Sequence, residues 1–402
     1  MARMIHQFLN KHNALPEQID AHKCLIDALK AMERGLSGEG NIPMIPSYLT
    51  TDIAVEANTK SAVVDAGGTN VRTALAVFDD NGCCHLENLQ KSHMPGTQGE
   101  LGYEEFYAAL ADPIRQLGQV QRVGLCFSYN VTLDRTLDGC LDFWCKEVQV
   151  PEAVGKPVGA SLKHALGADC ENVHVLNDSV AAMLGAENVQ VGVILGTGVN
   201  VCYLEQCRNI PKLPSGLESE KMIISTEIGE FDGIPQSTFE RMVLEASDAP
   251  GSAWGEKQCS GGYLGDIICA AWQKAAQEGV LPEGFRNIRC ALAEISCFLS
   301  GEKVDQIPQS RQALQMAQLL VARAAKIAAI LCAGPMLRAG QPGQRLRVAI
   351  EGSQFWKLTG FRGHFCRELD GLLMPHELSY EVVQTENACL IGAARAAFAK
   401  QM

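Results

Sequence analysis

The sequence is short of positive charge: 34 lysines and arginines stand against 46 aspartates and glutamates, a net of 34 − 46 = −12. A general nucleic-acid binder needs a basic face to neutralise phosphates, so this balance excludes that class. It leaves open a small phosphate-bearing ligand, which a few backbone amides and a metal ion can neutralise locally. Long apolar runs are missing as well. No stretch approaches the roughly 18 uncharged apolar residues of a membrane span, so no membrane partner is expected. The longest apolar region, 312–337, is interrupted by Arg323 and Lys326 and predicts a buried helix. The first residues, MARMIHQFLNKHNALPEQ, carry polar side chains throughout and lack the apolar centre of a secretory signal.

Cysteines number 16, but none is spaced as C-x-x-C, and no histidine pair accompanies Cys202 and Cys207. Cys126, Cys202, Cys269 and Cys332 sit singly inside apolar stretches, where a free thiol acts as a small hydrophobe. This pattern excludes a disulfide scaffold and argues against structural zinc. The expected compartment is reducing, the cytoplasm. A hydrophobic fraction of 47% with 20% charge excludes disorder, and 402 residues suggest two or three domains or one large two-lobed unit.

Strand and helix patterns alternate along the chain. Residues 3–35 read as one or two helices. Val63-Val64 and 71–78 read as strands joined by the tight turn Gly67-Gly68-Thr69, with a third strand after the Asp79-Asp80-Asn81-Gly82 turn. A helix is expected over 103–117, and buried strands over 123–127 and 173–176. A second hairpin, 191–195 to 199–204, turns at Gly196-Thr197-Gly198 and is built like the first. From 261 onward the pattern is mostly helical, with strands at 346–350 and 380–383 and a last helix over 389–399. The alternation makes the chain α/β, and no low-complexity linker divides it, so the lobes are expected to interweave.

Two kinds of position are candidates for chemistry. In Asp65-x-Gly67-Gly68-Thr69-Asn70, glycines without Cβ let backbone N–H groups approach phosphate oxygens, and the Asp can hold magnesium through water. It is neither a Walker A loop, since no G-K-[ST] follows, nor a dinucleotide fingerprint, since a strand follows rather than a helix. The same residues also suit a plain hairpin turn. The second glycine turn adds weight to the first reading, because two such turns across a cleft could clamp a triphosphate. Asn177-Asp178 ends a strand and opens a helix; Asp178 is there either an N-cap or a general base at the carboxyl edge of a sheet.

From these residues on, the chain resembles the eukaryotic-type hexokinases, which include glucokinase. The similarity runs in order over residues 43–400. Pro43 to Tyr48 (PMIPSY) resembles the family's M-L-P-T-Y, and DAGGTNVR its D-x-G-G-T-N-x-R phosphate loop. Phe127-Ser128 and LDFWCK (141–146) resemble its S-F-P and W-T-K sugar segments. LNDSVAAML, LGTGVNVCYLE and TEIGEF follow, then P-G-x-x-x-x-E-K-x-x-x-x-x-Y-L-G-D from Pro250 to Asp266. Glu351-Gly352-Ser353 resembles the adenosine-side D-G-S.

The resemblance implies a two-lobed α/β fold of the sugar kinase/Hsp70/actin (ribonuclease H-like) type with an interlobe cleft. The small lobe would be 53–176 plus 387–402, and the large lobe 1–52 plus 177–386. It implies ATP-dependent phosphorylation of a hexose, glucose first, at the 6-hydroxyl, with Mg²⁺ as cofactor. Asp178 would be the catalytic base and could also touch the metal. Asp65 would hold the Mg²⁺ shell, and Gly67, Gly68, Thr69, Asn70, Arg72, Gly196, Thr197, Gly198, Gly352 and Ser353 would bind ATP. Ser128, Lys146, Asn177, Asn200, Glu227 and Glu256 would bind the hexose; without the family context these would pass for ordinary surface or turn residues. The chemistry suits the residue types, because each sugar hydroxyl is both donor and acceptor.

The departures are Cys145 in place of Thr, Tyr129 in the S-F-P segment, and Ile228 in place of Trp. The C-terminal helix also lacks the usual D-G-S-G. No basic cluster is expected to offset Asp65, Asp178, Glu227 and Glu256 in the cleft. The competing expectations are a catalytically inactive sugar sensor and a chaperone- or actin-like nucleotide switch.

Overall fold

The computed structural model describes residues 2–144, 148–217 and 219–401. Thirteen strands are described: β1 (Ile45–Pro46), β2 (Lys60–Ala66), β3 (Asn70–Phe78), β4 (Cys84–His93), β5 (Arg122–Phe127), β6 (Asn130–Leu133) and β7 (Gly139–Phe143), then β8 (Asn172–Leu176), β9 (Val191–Leu195), β10 (Val199–Gln206), β11 (Lys221–Ser225), β12 (Arg345–Glu351) and β13 (Ser379–Val383). They form two main sheets, β4-β3-β2-β5-β8 and β1-β11-β10-β9-β12-β13, and a small β6-β7 ribbon.

Apart from β1, the two sheets have one topology. In each, the first strand pairs antiparallel with its hairpin partner on one side. On the other side it pairs parallel with a later strand, β2 with β5 and β9 with β12. A strand covered on both faces carries an unbroken apolar run, and the Ala62-Val63-Val64 of β2 and the VGVIL of β9 are such runs. The edge strand β4 is almost wholly exposed and carries His85, Glu87, Lys91 and His93, charges that discourage edge-to-edge pairing.

Helices cover the sheets. Ala2–Lys11 and Ala21–Leu36 are the two N-terminal helices, and Arg311–Ala339 is the central helix of the second lobe. By length and composition this last helix could cross a membrane, but most of it is buried inside the fold, packed on Ala21–Leu36, Phe361–Leu373 and β10. Arg323 is tolerated in its core because all three guanidinium nitrogens donate hydrogen bonds. It meets Glu240 at 2.7 and 3.0 Å and donates to the carbonyls of Leu15 and Pro235. The last helix, Ala388–Ala396, packs on β2, β5 and β8 and also on helix Asp178–Leu184. It fits so closely that a Cβ on Gly124 would stand 1.9 Å from the Ala393 carbonyl oxygen.

Candidate active site

The first glycine turn joins β2 to β3. The Gly67 amide donates to the Asn70 carbonyl at 3.0 Å, and the Gly67 carbonyl accepts from the Tyr129 hydroxyl at 2.8 Å. Asp65, one turn-length back on β2, is met by Arg72 from β3 at 2.9 Å (Nε) and 2.5 Å (Nη2), and Arg72 also donates to Asn387 Oδ1 at 3.2 Å. One of the four acids is therefore paired with a cation: antiparallel register places Arg72 directly opposite Asp65. Glu351, at the end of β12, shares this neighbourhood. Burial pushes its carboxyl up to about 6, with Arg72 acting to lower it and Asp65 to raise it.

The second turn joins β9 to β10, and it is held by backbone. Its Gly196 and Thr197 carbonyls accept from the amides of Gly261 and Gly262 at 2.8 and 3.0 Å, the first residues of helix Gly261–Gln277. Gly352 lies against it at φ 120°, where an added Cβ would be 2.2 Å from the Leu195 carbonyl oxygen. Only glycine meets both demands. Ser353, next in the chain, begins helix Ser353–Lys357 and is exposed, as is Thr197. Gly198 is bounded by Glu256, whose Oε2 accepts from the Val199 amide at 2.9 Å.

An amide–carboxylate cluster follows the second turn along β10. Asn200 turns its Oδ1 to backbone donors, Val201 N at 2.7 Å and Glu227 N at 3.0 Å. That fixes the amide, so its Nδ2 donates to Glu227 Oε1 at 2.6 Å and Ser225 Oγ at 2.9 Å, with Asn177 Oδ1 at 3.3 Å. Glu227 itself adopts a left-handed backbone, φ 53°, of the kind held only where surrounding bonds over-determine it. Burial, reinforced by the Asp178 carboxylate and then by Glu256, lifts its carboxyl to about 7, against Ser225 and Asn200, whose hydrogen bonds favour the charge.

Asp178 is the first residue of helix Asp178–Leu184, and Asn177 is the cap: its Oδ1 accepts from the Ser179 amide at 2.8 Å and hydroxyl at 2.7 Å. Of the two readings of Asp178 from sequence, the capping one is thereby removed, since its neighbour performs it. Asp178 faces Glu227 on one side, and with Asp65 it flanks the buried thiol of Cys389. Ser128 follows β5 with its amide on the Ala66 carbonyl at 3.2 Å. Asn177, Asn200, Glu227 and Glu256 are thus neighbours of one another and of Gly198, and Asp178 stands near both Glu227 and the Cys389 thiol that Asp65 also flanks. Lys146 and Cys145 lie outside the described residues.

Three residues of the site carried no clear signal in the sequence. Ser225 is two residues before Glu227 at the buried end of β11, and no local pattern in KMIIS marks it out. Asn387 on Arg72 and the Tyr129 hydroxyl on Gly67 are contacts between distant segments, which no local pattern encodes. Among the described residues no group of three or more His, Cys, Asp or Glu side chains could hold a metal alone. A magnesium ion bound through phosphates keeps several waters and needs only one or two carboxylates, and the Asp65 and Asp178 carboxylates fit that demand.

Residues 4–187 and 190–399 each match a family model described as hexokinase. The chain is 28% identical to "Hexokinase-4, chloroplastic" of Oryza sativa subsp. japonica over 90% of its own length and 82% of that protein. It is 42% identical to "Hexokinase-like 1 protein" of Arabidopsis thaliana over 59% of its own length, spanning 53% of that relative. The fold superposes on a Schistosoma mansoni hexokinase complexed with glucose with a TM-score of 0.84 at 20% identity, over 98% of this chain and 99% of the other. These matches cover both sheets and both turns: the chain belongs to the hexokinase family, and with it to the hexose kinases.

Proposed function

We propose that the chain transfers the γ-phosphoryl group of ATP to the 6-hydroxyl of a hexose, glucose first, with Asp178 as general base. The observation that carries this reading is the position of Asp178. Its carboxylate acts on Glu227 of the Asn177–Asn200–Ser225–Glu227 cluster, which suits a polyhydroxyl ligand, and together with Asp65, two residues before the first glycine turn, it acts on the Cys389 thiol. The glucose held by the Schistosoma mansoni relative supports the choice of sugar.

Phosphoryl transfer depends on positioning and charge neutralisation more than on covalent chemistry. Asn177, Asn200, Glu227 and Glu256 would hydrogen-bond the sugar hydroxyls, with Ser128 and Lys146 completing the set. The peptide N–H groups of Gly67 to Asn70 and of Gly196 to Gly198 would hold phosphate oxygens, with Arg72 beside the first turn and Gly352 and Ser353 on the nucleoside side. Mg²⁺, held through Asp65 and the phosphates, would neutralise the triphosphate. Asp178 would accept the proton of the attacking hydroxyl as the new P–O bond forms and ADP leaves. Closure of the two lobes on the sugar would keep water from ATP.

The test is Asp178→Ala in a coupled ADP-release assay with glucose. The reading expects kcat to fall by about 10²–10⁴-fold, the range for losing a general base, while glucose affinity measured by calorimetry is largely kept. Near-normal turnover by this variant refutes the assignment of the base. The Arabidopsis relative is called hexokinase-like, which favours a second reading in which the chain senses sugar without turnover. Glucose binding with no ADP release from the wild-type chain, for any hexose tried, would select it.

A further inference from the structure

Tyr129 departs from the family's S-F-P segment, and its surroundings give that departure a use. The ring is buried, tilted against Phe127 at 4.8 Å and edge-on to Trp144 at 5.0 Å between centroids. One side of it lines a crevice of about 20 Å³ together with Asn177, Ser225 and Glu227. Its hydroxyl leaves this sugar side and donates to the Gly67 carbonyl at 2.8 Å.

The bond continues the sheet. Parallel β2 and β5 are in register up to Ala66 and Phe127, and beyond that the Ser128 amide still reaches the Ala66 carbonyl. At the next step a side chain takes the place of the backbone donor: Tyr129 meets Gly67. In a trans peptide the carbonyl of one residue and the N–H of the next point in opposite directions. Holding the Gly67 oxygen toward Tyr129 therefore turns the Gly68 N–H the other way. Two consecutive glycines would otherwise let that peptide plane rotate with little steric resistance.

We infer that Tyr129 is a positioning residue for the nucleotide: its hydroxyl fixes the Gly67–Gly68 peptide so that the Gly68 N–H is presented to phosphate, while its ring serves as a wall beside the sugar cluster. The inference rests on the reading of the first turn as a phosphate site. It assigns separate duties to the two parts of one side chain, and that separation can be measured.

Tyr129→Phe keeps the ring and removes the donor. Affinity for AMPPNP and for glucose is measured by calorimetry on the full chain, alongside KM for ATP and a thermal melt. Loss of one hydrogen bond to the turn predicts AMPPNP affinity weaker by about 3- to 10-fold, a matching rise in KM for ATP, and unchanged glucose affinity. Tyr129→Leu, which also removes the ring, adds a loss of glucose affinity. Unchanged AMPPNP affinity in Tyr129→Phe overturns the inference. So does an equal weakening of both ligands, which marks a general structural role, and so does a wild-type chain without AMPPNP affinity. Should the wild-type chain phosphorylate no hexose, the activity proposed above fails by itself, and the AMPPNP titration still decides the role of Tyr129.

Discussion

The two glycine turns occupy equivalent places in two sheets of one topology, yet they are held by different means. At the second turn, two carbonyls accept from the backbone amides that open helix Gly261–Gln277, and Gly352 closes the back with no room for a methyl group. At the first, backbone bonds run from the Gly67 amide to the Asn70 carbonyl and from the Met94 amide to the Thr69 carbonyl, but the Gly67 carbonyl accepts from a tyrosine hydroxyl, and the flanking Asp65 is paired with Arg72. Backbone on backbone leaves little to vary except by steric conflict. A turn held in part by side chains can be loosened one side-chain hydrogen bond at a time. The same hairpin geometry thus comes in a stiff form and an adjustable form.

The largest effect should come from the stiff turn. Gly352→Ala places a Cβ 2.2 Å from the Leu195 carbonyl oxygen at a φ of 120°. Overpacking and backbone strain together should cost on the order of 3 kcal/mol, seen as a lowered melting temperature and lost AMPPNP affinity. A variant as stable as wild type would break the contrast between the turns. A smaller effect is expected at Arg72, whose side chain is 34% exposed against 13% for Asp65. Arg72→Met removes the pair and leaves a mostly buried carboxylate; with solvent screening the cost should be about 1–2 kcal/mol, again read from the melt.

Smaller still is a pH effect beside the adjustable turn. Burial raises Glu351 from its ordinary 4.5 to about 6. A raised carboxyl holds its proton longer in the folded chain than in the unfolded one. Its stabilising contribution is therefore complete below pH 4.5 and is lost as pH climbs through 6. Glu351→Gln should flatten the decline in melting temperature across that window. An unaltered profile would remove Glu351 from the neighbourhood argued for the first turn. Glu227, raised to about 7, extends the same decline to higher pH, and Glu227→Gln should remove that upper part.

Much of this architecture was readable in the chain because it is written in local patterns. Both hairpins, the buried runs of β2, β5, β8 and β9, and the long apolar helix follow from periodicity and from glycines at turns. The Asn177, Asn200 and Glu227 cluster came from the ordered resemblance to a family, since each of these residues alone suits a surface or a cap. What remained hidden was decided by contacts between distant segments. Asn and Asp are near-equal caps, so the sequence left Asp178 between two duties until the fold gave the cap to Asn177. Arg72 came from the family's phosphate-loop pattern as a nucleotide contact, and its pairing with Asp65 emerged only once register set the two opposite each other. The Tyr129 hydroxyl reaches Gly67 only because two strands end side by side.

The central claim is that one cleft brings a hexose hydroxyl, Asp178 and a nucleotide phosphate together for transfer. Incubating the purified chain with glucose, ATP and Mg²⁺ and identifying products by mass spectrometry tests it directly. The account predicts hexose 6-phosphate and ADP in equal amounts, with formation collapsing in Asp178→Ala. Binding of glucose and nucleotide without any hexose phosphate would contradict it.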